Sequence, residues 1–567
     1  MTTRGPAVSS AAAIWAIASA LVLPPGSASL SQAAQDEKPS NASAASPSQP
    51  APPQETPAHP LHVETRAVEV SVRVTDKHGN PINGLTKDQF VVLDDKRPQA
   101  IGYFSVVTNV PTSEHADDPL PPDTFVNGYG LRSGAPASVT MILLDSLNTS
   151  FLVQARGRDA VMRYLRTIQP GDRVALCVLS DRLHVLHDFT SDSAGLVRSL
   201  NEYKGATSAD LDMTDASLAN QVNRALVDVT KDAEIHEADA ASPLRGQITS
   251  TSLRAIADYL GGLPGRKNLI WVSASFPFNI ETNNLERTRT GRRLADASDE
   301  ELTVRALLNA NVSVYPVDAN GLITGGITGT EIIRPTAFTD LAPTKVLAGR
   351  TGGRAYFDRN DIMGSIRDAI NDSHLNYEIG FYPDNVIWDG SFHTIHIKVN
   401  VPGAQASARD GYFALGEERA SPQTRMALLA EAARGPLDAT ELSVRAHVSP
   451  VGSASDTDEP RLNIKVSLDT RQFDFVESNG TWNELLDVAF VQLDEKNQII
   501  RTSRESFPFS LDRASLDQLT TQGFSLEEEV PVRAGAVQLR VIVREGGRGS
   551  IGSLKIPLEP YIAAHTN

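Results

Sequence analysis

The sequence predicts an α/β fold: a doubly wound, mostly parallel sheet flanked by a small N-terminal β-unit and a C-terminal β-sandwich. Three observations carry that expectation. Ser138–Asp145, Arg173–Ser180 and Asn268–Ser275 are apolar runs without polar alternation, as in strands buried on both faces. Amphipathic helical stretches separate them, so strand and helix alternate across residues 137–414, the pattern of a sheet with crossover helices. On either side of that region short strands alternate with period two, the mark of half-buried antiparallel sheet. At 567 residues the chain is too long for a single core.

Residues 1–29 read as a signal peptide: Arg4 is the basic flank, Ala11–Leu23 the apolar core, and Pro24–Ser29 supplies small residues for cleavage. An uncleaved anchor is the alternative. No cysteine follows and the arginine is single, which excludes the lipoprotein and twin-arginine forms. No other run reaches the length of a membrane span. The expectation is an exported bacterial protein, periplasmic or secreted, with no membrane span in the mature chain. Residues 30–61, rich in Ala, Ser and Pro, form a tether that buries too little apolar surface to order itself.

Residues 62–109 are the small β-unit. Val68–Thr75 alternates strictly, Asp76–Pro81 has turn chemistry, Thr86–Phe90 is a capped turn of helix, and Phe90–Asp94 and Gln99–Phe104 are strands. A unit this small needs a neighbour to pack on. Residues 110–136 are a Pro-, Asp- and Gly-containing linker.

Within 137–414, Ser138–Asp145 leads to a helix over Gln154–Ile168 and a second strand, Arg173–Ser180. Asp181-Arg182 is so short a turn that Leu183–Phe189 must run antiparallel. A helix through Tyr203 and an insertion at 205–246, polar and strandless, precede a helix over Thr249–Leu260. Strands Asn268–Ser275 and Val312–Asp318 then flank a helix at Asp299–Asn309. Helices at Leu341–Ala348 and Asp361–Ser373 lead to strand Tyr377–Tyr382, with His393–Asn400 as its hairpin partner. Residues 415–440 are a connector with a helix at Met426–Ala433. Residues 441–562 hold six alternating strands: Ser443–Val448, Leu462–Leu468, Leu486–Leu493, Gly523–Val530, Val537–Val543 and Ser553–Leu558. The turn after Val74, with Asp76, is echoed after Leu493, with Asp494.

Composition narrows the chemistry. A net charge of −17 argues against nucleic acid or an anionic membrane as partner; Arg292-Arg293 reads as an exposed loop. The one cysteine, Cys177, excludes an internal disulfide and cysteine-based metal sites, and reads as a buried apolar residue. There is no phosphate-binding glycine loop, and Val272–Phe276 lacks the glycines of a nucleophile elbow. His184 and His187, with Asp188 beside the second, point to opposite faces of one strand, and His393 and His396 read as surface residues. A hydrolase using Ser273 or Ser275 requires a histidine close in space.

Several of these residues carry a resemblance. The strand ending in Asp145, the short antiparallel pair, Gly265-Arg-Lys-Asn-Leu-Ile-Trp-Val-Ser273 and Tyr377-Glu-Ile-Gly-Phe-Tyr-Pro383 resemble the von Willebrand factor A (VWFA) domain. With Val68–Val72, Asp76-Lys-His-Gly79, Leu85 and Phe90 before it, the chain looks like the exported acidobacterial subfamily of VWFA-related proteins. The resemblance spans Val68–Phe413. It implies a protein-binding module whose carboxyl edge can hold Mg²⁺ through an Asp, two hydroxyls, a loop Thr and a second Asp, with a partner's carboxylate completing the shell.

Carried over residue by residue, the implied metal set is Asp145, Thr149, Thr251 (or Thr249) and Ser273, and it is degenerate. Leu147 stands where the first hydroxyl belongs and Ala274 where the second Asp belongs. The ligand-binding lip comprises Asp145, Ser146, Asn148, Thr149, Ser273 and Ser275. Without a metal, Asp145 caps the first helix or bonds the Ser273 and Thr149 hydroxyls. The leading expectation is a non-enzymatic protein that binds another protein or a cell-surface component. Mg²⁺-dependent adhesion and a hydrolase using the lip hydroxyls are the alternatives.

Overall fold

A computed structural model describes residues 67–108, 120–127, 138–169, 171–203, 227–263, 265–277, 298–321, 342–384, 388, 391–414, 421–451, 459–547 and 549–563. The expected signal peptide, the tether, most of the linker and residues 205–226 of the insertion lie outside them.

The structure is mixed α/β. Its central sheet is built on Ser138–Asp145, which pairs in parallel with Val174–Leu179 on one side and Arg266–Ser273 on the other. Val312–Asp318 extends the sheet beyond Arg266–Ser273, also in parallel. Leu183–Thr190 closes the opposite edge antiparallel, as its two-residue connection requires. Every residue of the four parallel strands is buried, which is why their sequences show no polar alternation.

Successive side chains of a strand point to opposite faces, and the core divides accordingly. Val139, Met141 and Leu143 join Leu253, Ile256, Val304, Leu307 and Leu347 in one cluster. Ile142 and Leu144 join Val161, Leu165, Leu196, Ile366 and Ile370 in another. Helices Val227–Gly261, Asp299–Asn309 and Ala342–Arg350 therefore cover one face, and Phe151–Leu165, Ser193–Glu202 and Ile362–Asn371 the other. The described part of the insertion, residues 227–246, and the helix expected at Thr249 are one element over residues 227–261, with Pro243 inside it. The Ala and Glu residues of its first half favour helix, and the helix tolerates the hydrogen bond that Pro243 forfeits.

The late strands depart from the expected pairing. Leu375–Phe381 does not simply lead into its successor; it pairs with Val68–Thr75 and Ile101–Thr108. Phe392–Val399 pairs with Phe90–Asp94 and Gly411–Phe413. The apolar face of Val68, Val70, Val72 and Val74 is buried only with Tyr377, Ile379 and Phe381 against it. The N-terminal strands thus recruit partners about 300 residues away, as a sheet too small to stand alone must. Arg266, fully buried, fastens this assembly to the central sheet: its guanidinium donates to Ser71 Oγ (3.0 Å), Tyr315 Oη (2.9 Å) and the Gly352 carbonyl (3.4 Å).

In the C-terminal region Thr124–Val126, within the expected linker, pairs with Val444–Val451, which continues to Arg461–Leu468 and Phe524–Pro531. Thr481–Leu493 pairs with Val476–Ser478, Ile499–Leu511 and Gln538–Glu545, and the last of these with Ile551–Pro557. The two sheets share one core cluster, with Val444, Ile464 and Val466 from the first and Leu486, Val488, Val541 and Leu554 from the second. Ile499–Leu511 escapes sequence reading because it is polar, half exposed and carries Pro508, features of a strand paired on one side only. Thr440 joins this region to the central one: its hydroxyl donates to the Tyr259 carbonyl (2.7 Å) and accepts from Gly262 N (3.1 Å). A Cβ on Gly262 would lie 1.7 Å from the Thr440 carbonyl oxygen, so only glycine fits there.

Candidate functional site at the carboxyl edge of the central sheet

Chain order reverses between Ser138–Asp145 and Arg266–Ser273: strands that follow the first in sequence lie on one side of it, later strands on the other. Open α/β sheets place their binding crevice at such a switch point, outside the carboxyl ends of the strands. Asp145 and Ser273 end the two strands that flank it, and Ser273 Oγ donates across it to Asp145 Oδ2 at 2.9 Å.

Asp145 is buried and saturated with donors. Its Oδ1 accepts from the Asn148 backbone N (3.0 Å) and from Asn148 Nδ2 (3.1 Å). Its Oδ2 accepts from Asn148 Nδ2 (2.9 Å), Trp271 Nε1 (3.0 Å) and Ser273 Oγ. Burial raises the carboxyl above its ordinary value, and these bonds from Asn148, Trp271 and Ser273 oppose the rise. A cation on Oδ1 would have to displace the Asn148 donors, and one on Oδ2 the amide, the indole and the hydroxyl.

The other lip residues are likewise engaged. Thr149 Oγ1 accepts from Ala274 N (3.0 Å) rather than meeting Asp145. Asn148 Nδ2 also donates to Thr249 Oγ1 (3.0 Å). The structure therefore brings Thr249, not Thr251, to the cluster; Thr251 is exposed one helical turn from Arg254 and accepts from that guanidinium (3.3 Å). Ser275 meets the site through its backbone, its carbonyl 2.6 Å from Ser273 Oγ. Ser146 is buried, with its backbone N donating to the Leu179 carbonyl. Leu147 turns its side chain into the core beneath the sheet. Asp145 does not cap the first helix; its bond to Asn148 N closes the loop just before it, and Ser150 is the N-cap residue.

Trp271 and Asp318 are the residues sequence reasoning missed. Trp271 is fully buried, and a buried indole N–H needs an acceptor; the nearest strand-ending carboxylate was the available signal. Asp318 ends the next strand, in register with Ser273. Its Oδ1 accepts from Asn320 N and Nδ2 (both 2.9 Å), and burial raises its carboxyl despite those bonds. Asn320 Nδ2 also donates to the Ala274 carbonyl (2.7 Å). Both lip carboxylates are thus held by an asparagine that follows within three residues.

Beside this network lies a pocket of about 220 Å³ between the lip and the first helix. Leu144, Val153, Val178, Leu200 and Val272 give it an apolar wall, while Asp145, Ser146 and Thr149 line its edge. Phe151 lines it too and is 58 % exposed. The Ser273 hydroxyl is engaged with Asp145 and Ser275, with no histidine among its partners in the described residues. His184 Nε2 sits instead 3.0 Å from Asp181 Oδ1, and His187 Nδ1 2.7 Å from the Asp188 carbonyl. Cys177 is buried and its thiol is pushed upward by desolvation, so it stays inert.

No protein-family model and no curated protein matches the chain. Solved structures align at low identity. An aerotolerance-related membrane protein from Bacteroides fragilis does so at 11 % identity, over 42 % of this chain and 98 % of its own, with a TM-score of 0.22. The conserved hypothetical protein BatB from Bacteroides thetaiotaomicron aligns at 12 %, over 42 % and 98 %, with a TM-score of 0.20. A von Willebrand factor type A structure from Catenulispora acidiphila aligns at 8 %, over 62 % and 82 %, with a TM-score of 0.22. Likenesses at these scores carry no argument about this chain. Among the described residues no helix is long and apolar enough to cross a membrane.

Proposed function

We propose that this chain is an exported, non-enzymatic protein of the VWFA type that binds another protein or a cell-surface component at the carboxyl edge of its central sheet. On this reading the sheet is doubly wound, the C-terminal sheets are a β-sandwich acting as spacer or second contact surface, and the adhesion site is degenerate. One observation carries it: Asp145, the residue that would begin a metal site, accepts five donor contacts from its own protein. With Leu147 in the core and Ala274 without a carboxylate, the donor set does not suit a divalent oxygen-loving cation. The pocket beside it, apolar and rimmed by Phe151, then supplies the contact: a partner inserts an apolar side chain there, in the manner of an interface anchor.

The test is a pull-down from envelope and culture fluid with the chain lacking its signal and tether, followed by affinity measurement on the partner recovered. Phe151 is the first residue of its helix, where an acidic side chain is favourable, so Phe151→Asp leaves the fold intact. A loss of affinity of tenfold or more in Phe151→Asp supports the reading. Equal affinity for wild type and variant, or a partner whose binding needs Mg²⁺, contradicts it.

A further inference from the structure

A second carboxylate cluster lies far from that edge, where the N-terminal strands meet the late ones. Asp94 ends Phe90–Asp94 opposite Ile395. Asp95 and Lys96 form a two-residue turn with φ of 45° and 70°, leading into Arg97–Gln99. Such a turn needs positive φ at both positions. His393, expected on the surface, is mostly covered and stacks on Tyr412, with ring centroids 5.3 Å apart. One carboxylate oxygen each from Asp94 and Asp95 and one ring nitrogen of His393 lie within 4.8 Å of one another.

The decisive detail is Asp94. It is 4 % exposed; its Oδ2 accepts from Tyr412 Oη at 3.1 Å, and its Oδ1 has no hydrogen-bond partner among the described residues. A buried carboxylate oxygen with no donor among the described residues calls for a proton or a cation. We propose that Asp94, Asp95 and His393 form a binding site for Zn²⁺ or a closely similar first-row divalent cation.

Each ligand has one atom held by a neighbour outside the set. Thr394 N and Oγ1 both donate to Asp95 Oδ1 at 2.9 Å, while Asp95 Oδ2 and His393 Nδ1 are hydrogen-bonded to each other at 2.9 Å, a bond the ion would replace. Tyr412 holds Asp94 Oδ2 and leaves Oδ1. Ser391 Oγ lies 3.2 Å from His393 Nε2, so it can take the Nε2–H while Nδ1 keeps its lone pair for the ion. Outer contacts of this kind orient metal ligands and fix the histidine tautomer. Tetrahedral zinc with bonds of about 2.0–2.2 Å sets its ligand atoms roughly 3.3–3.6 Å apart, so ligand atoms now within 4.8 Å of one another close by up to about 1 Å, and the Asp95–His393 pair, at 2.9 Å, opens by a few tenths of an ångström. One imidazole with two carboxylates suits zinc better than the all-oxygen shells of Mg²⁺ and Ca²⁺. Burial raises the Asp94 carboxyl, the Tyr412 hydroxyl opposing; burial also works against the Asp95 charge, but the Thr394 bonds and His393 together outweigh it and hold Asp95 below its ordinary value. Binding releases whatever proton Asp94 or Nδ1 carries.

The experiment uses the mature full-length chain, stripped with chelator and titrated with Zn²⁺ alone, with Co²⁺ spectra as a direct report of the ligand set. One saturable equivalent is expected, weakened at least tenfold in Asp95→Asn and in His393→Gln, with a Co²⁺ spectrum that is lost in parallel. Asp95 is partly exposed and its asparagine variant still accepts from Thr394, so it keeps the test valid if Asp94→Asn does not fold. Absence of saturable binding at micromolar Zn²⁺, or an equivalent whose affinity Asp95→Asn leaves unchanged, overturns the proposal.

Discussion

Asp145 and Asp94 are each the buried last residue of a strand, yet their carboxylates are treated in opposite ways. Asp145 receives donors on both oxygens from Asn148, Trp271 and Ser273; Asp94 receives Tyr412 on one oxygen and, among the described residues, no donor on the other. The first lies where an open α/β sheet puts its ligand site, but its charge is already spent inside the protein. The second lies in a hairpin with no positional claim to function, and it retains unused acceptor capacity. Location in the fold and chemical availability are separate properties, and a site needs both.

Removing each carboxylate is the strongest way to break that contrast. Asp145→Ala strands an indole N–H, an amide and a backbone N–H in the interior, and should cost at least about 3 kcal/mol in urea denaturation. Asp94→Ala, without added metal, deprives only the Tyr412 hydroxyl and should cost about 1 kcal/mol. Equal losses would mean that the two carboxylates are equivalent after all.

A second prediction sharpens the electrostatic side. Asp94 has a folded-state pKa above its ordinary 3.8, so its contribution to stability is complete below that value and is lost as the pH rises through the folded pKa. Asp95 has a folded-state pKa below 3.8; its contribution is present above that value and is lost as the pH falls. Thermal melts from pH 3 to 7 in chelator should therefore show Asp94→Asn removing a decline toward higher pH, and Asp95→Asn removing a decline toward acid. The same slope change in both variants would contradict the assignment. Smallest in effect is the loop threonine: Thr249→Val loses the bond from Asn148 and should cost about 1 kcal/mol, whereas Thr251→Ala, exposed, should stay within about 0.5 kcal/mol. The reverse order would place the wrong threonine at the lip.

Much of the frame was legible because it is written locally. Unbroken apolar runs marked the four parallel strands, and the two-residue Asp181-Arg182 turn forced the antiparallel edge. The echo between the Asp76 and Asp494 turns is real geometry: Asp76 Oδ1 accepts from His78 N and Asn80 N, and Asp494 Oδ1 from Lys496 N and Gln498 N. At the lip, Leu147 and Ala274 were readable as poor ligands from their chemistry alone. What could not be read is what chain-distant pairing creates. Tyr377–Phe381 carries nothing that selects Val68–Val72 as its neighbour, and Thr124–Val126 is too short to stand out from a linker. Trp271 serves Asp145 across the strand register. His393 and Asp95 lie 298 positions apart, so no spacing motif could have joined them. Asn148 looked like one more lip residue, when it is the group that occupies the carboxylate.

The central claim, that the carboxyl edge works without a cation, is tested most directly by calorimetric titration of the mature chain with Mg²⁺. No saturable heat is expected up to millimolar Mg²⁺, in the wild type and in Asp95→Asn alike. Saturable binding that Ser273→Ala or Thr149→Val abolishes would contradict it.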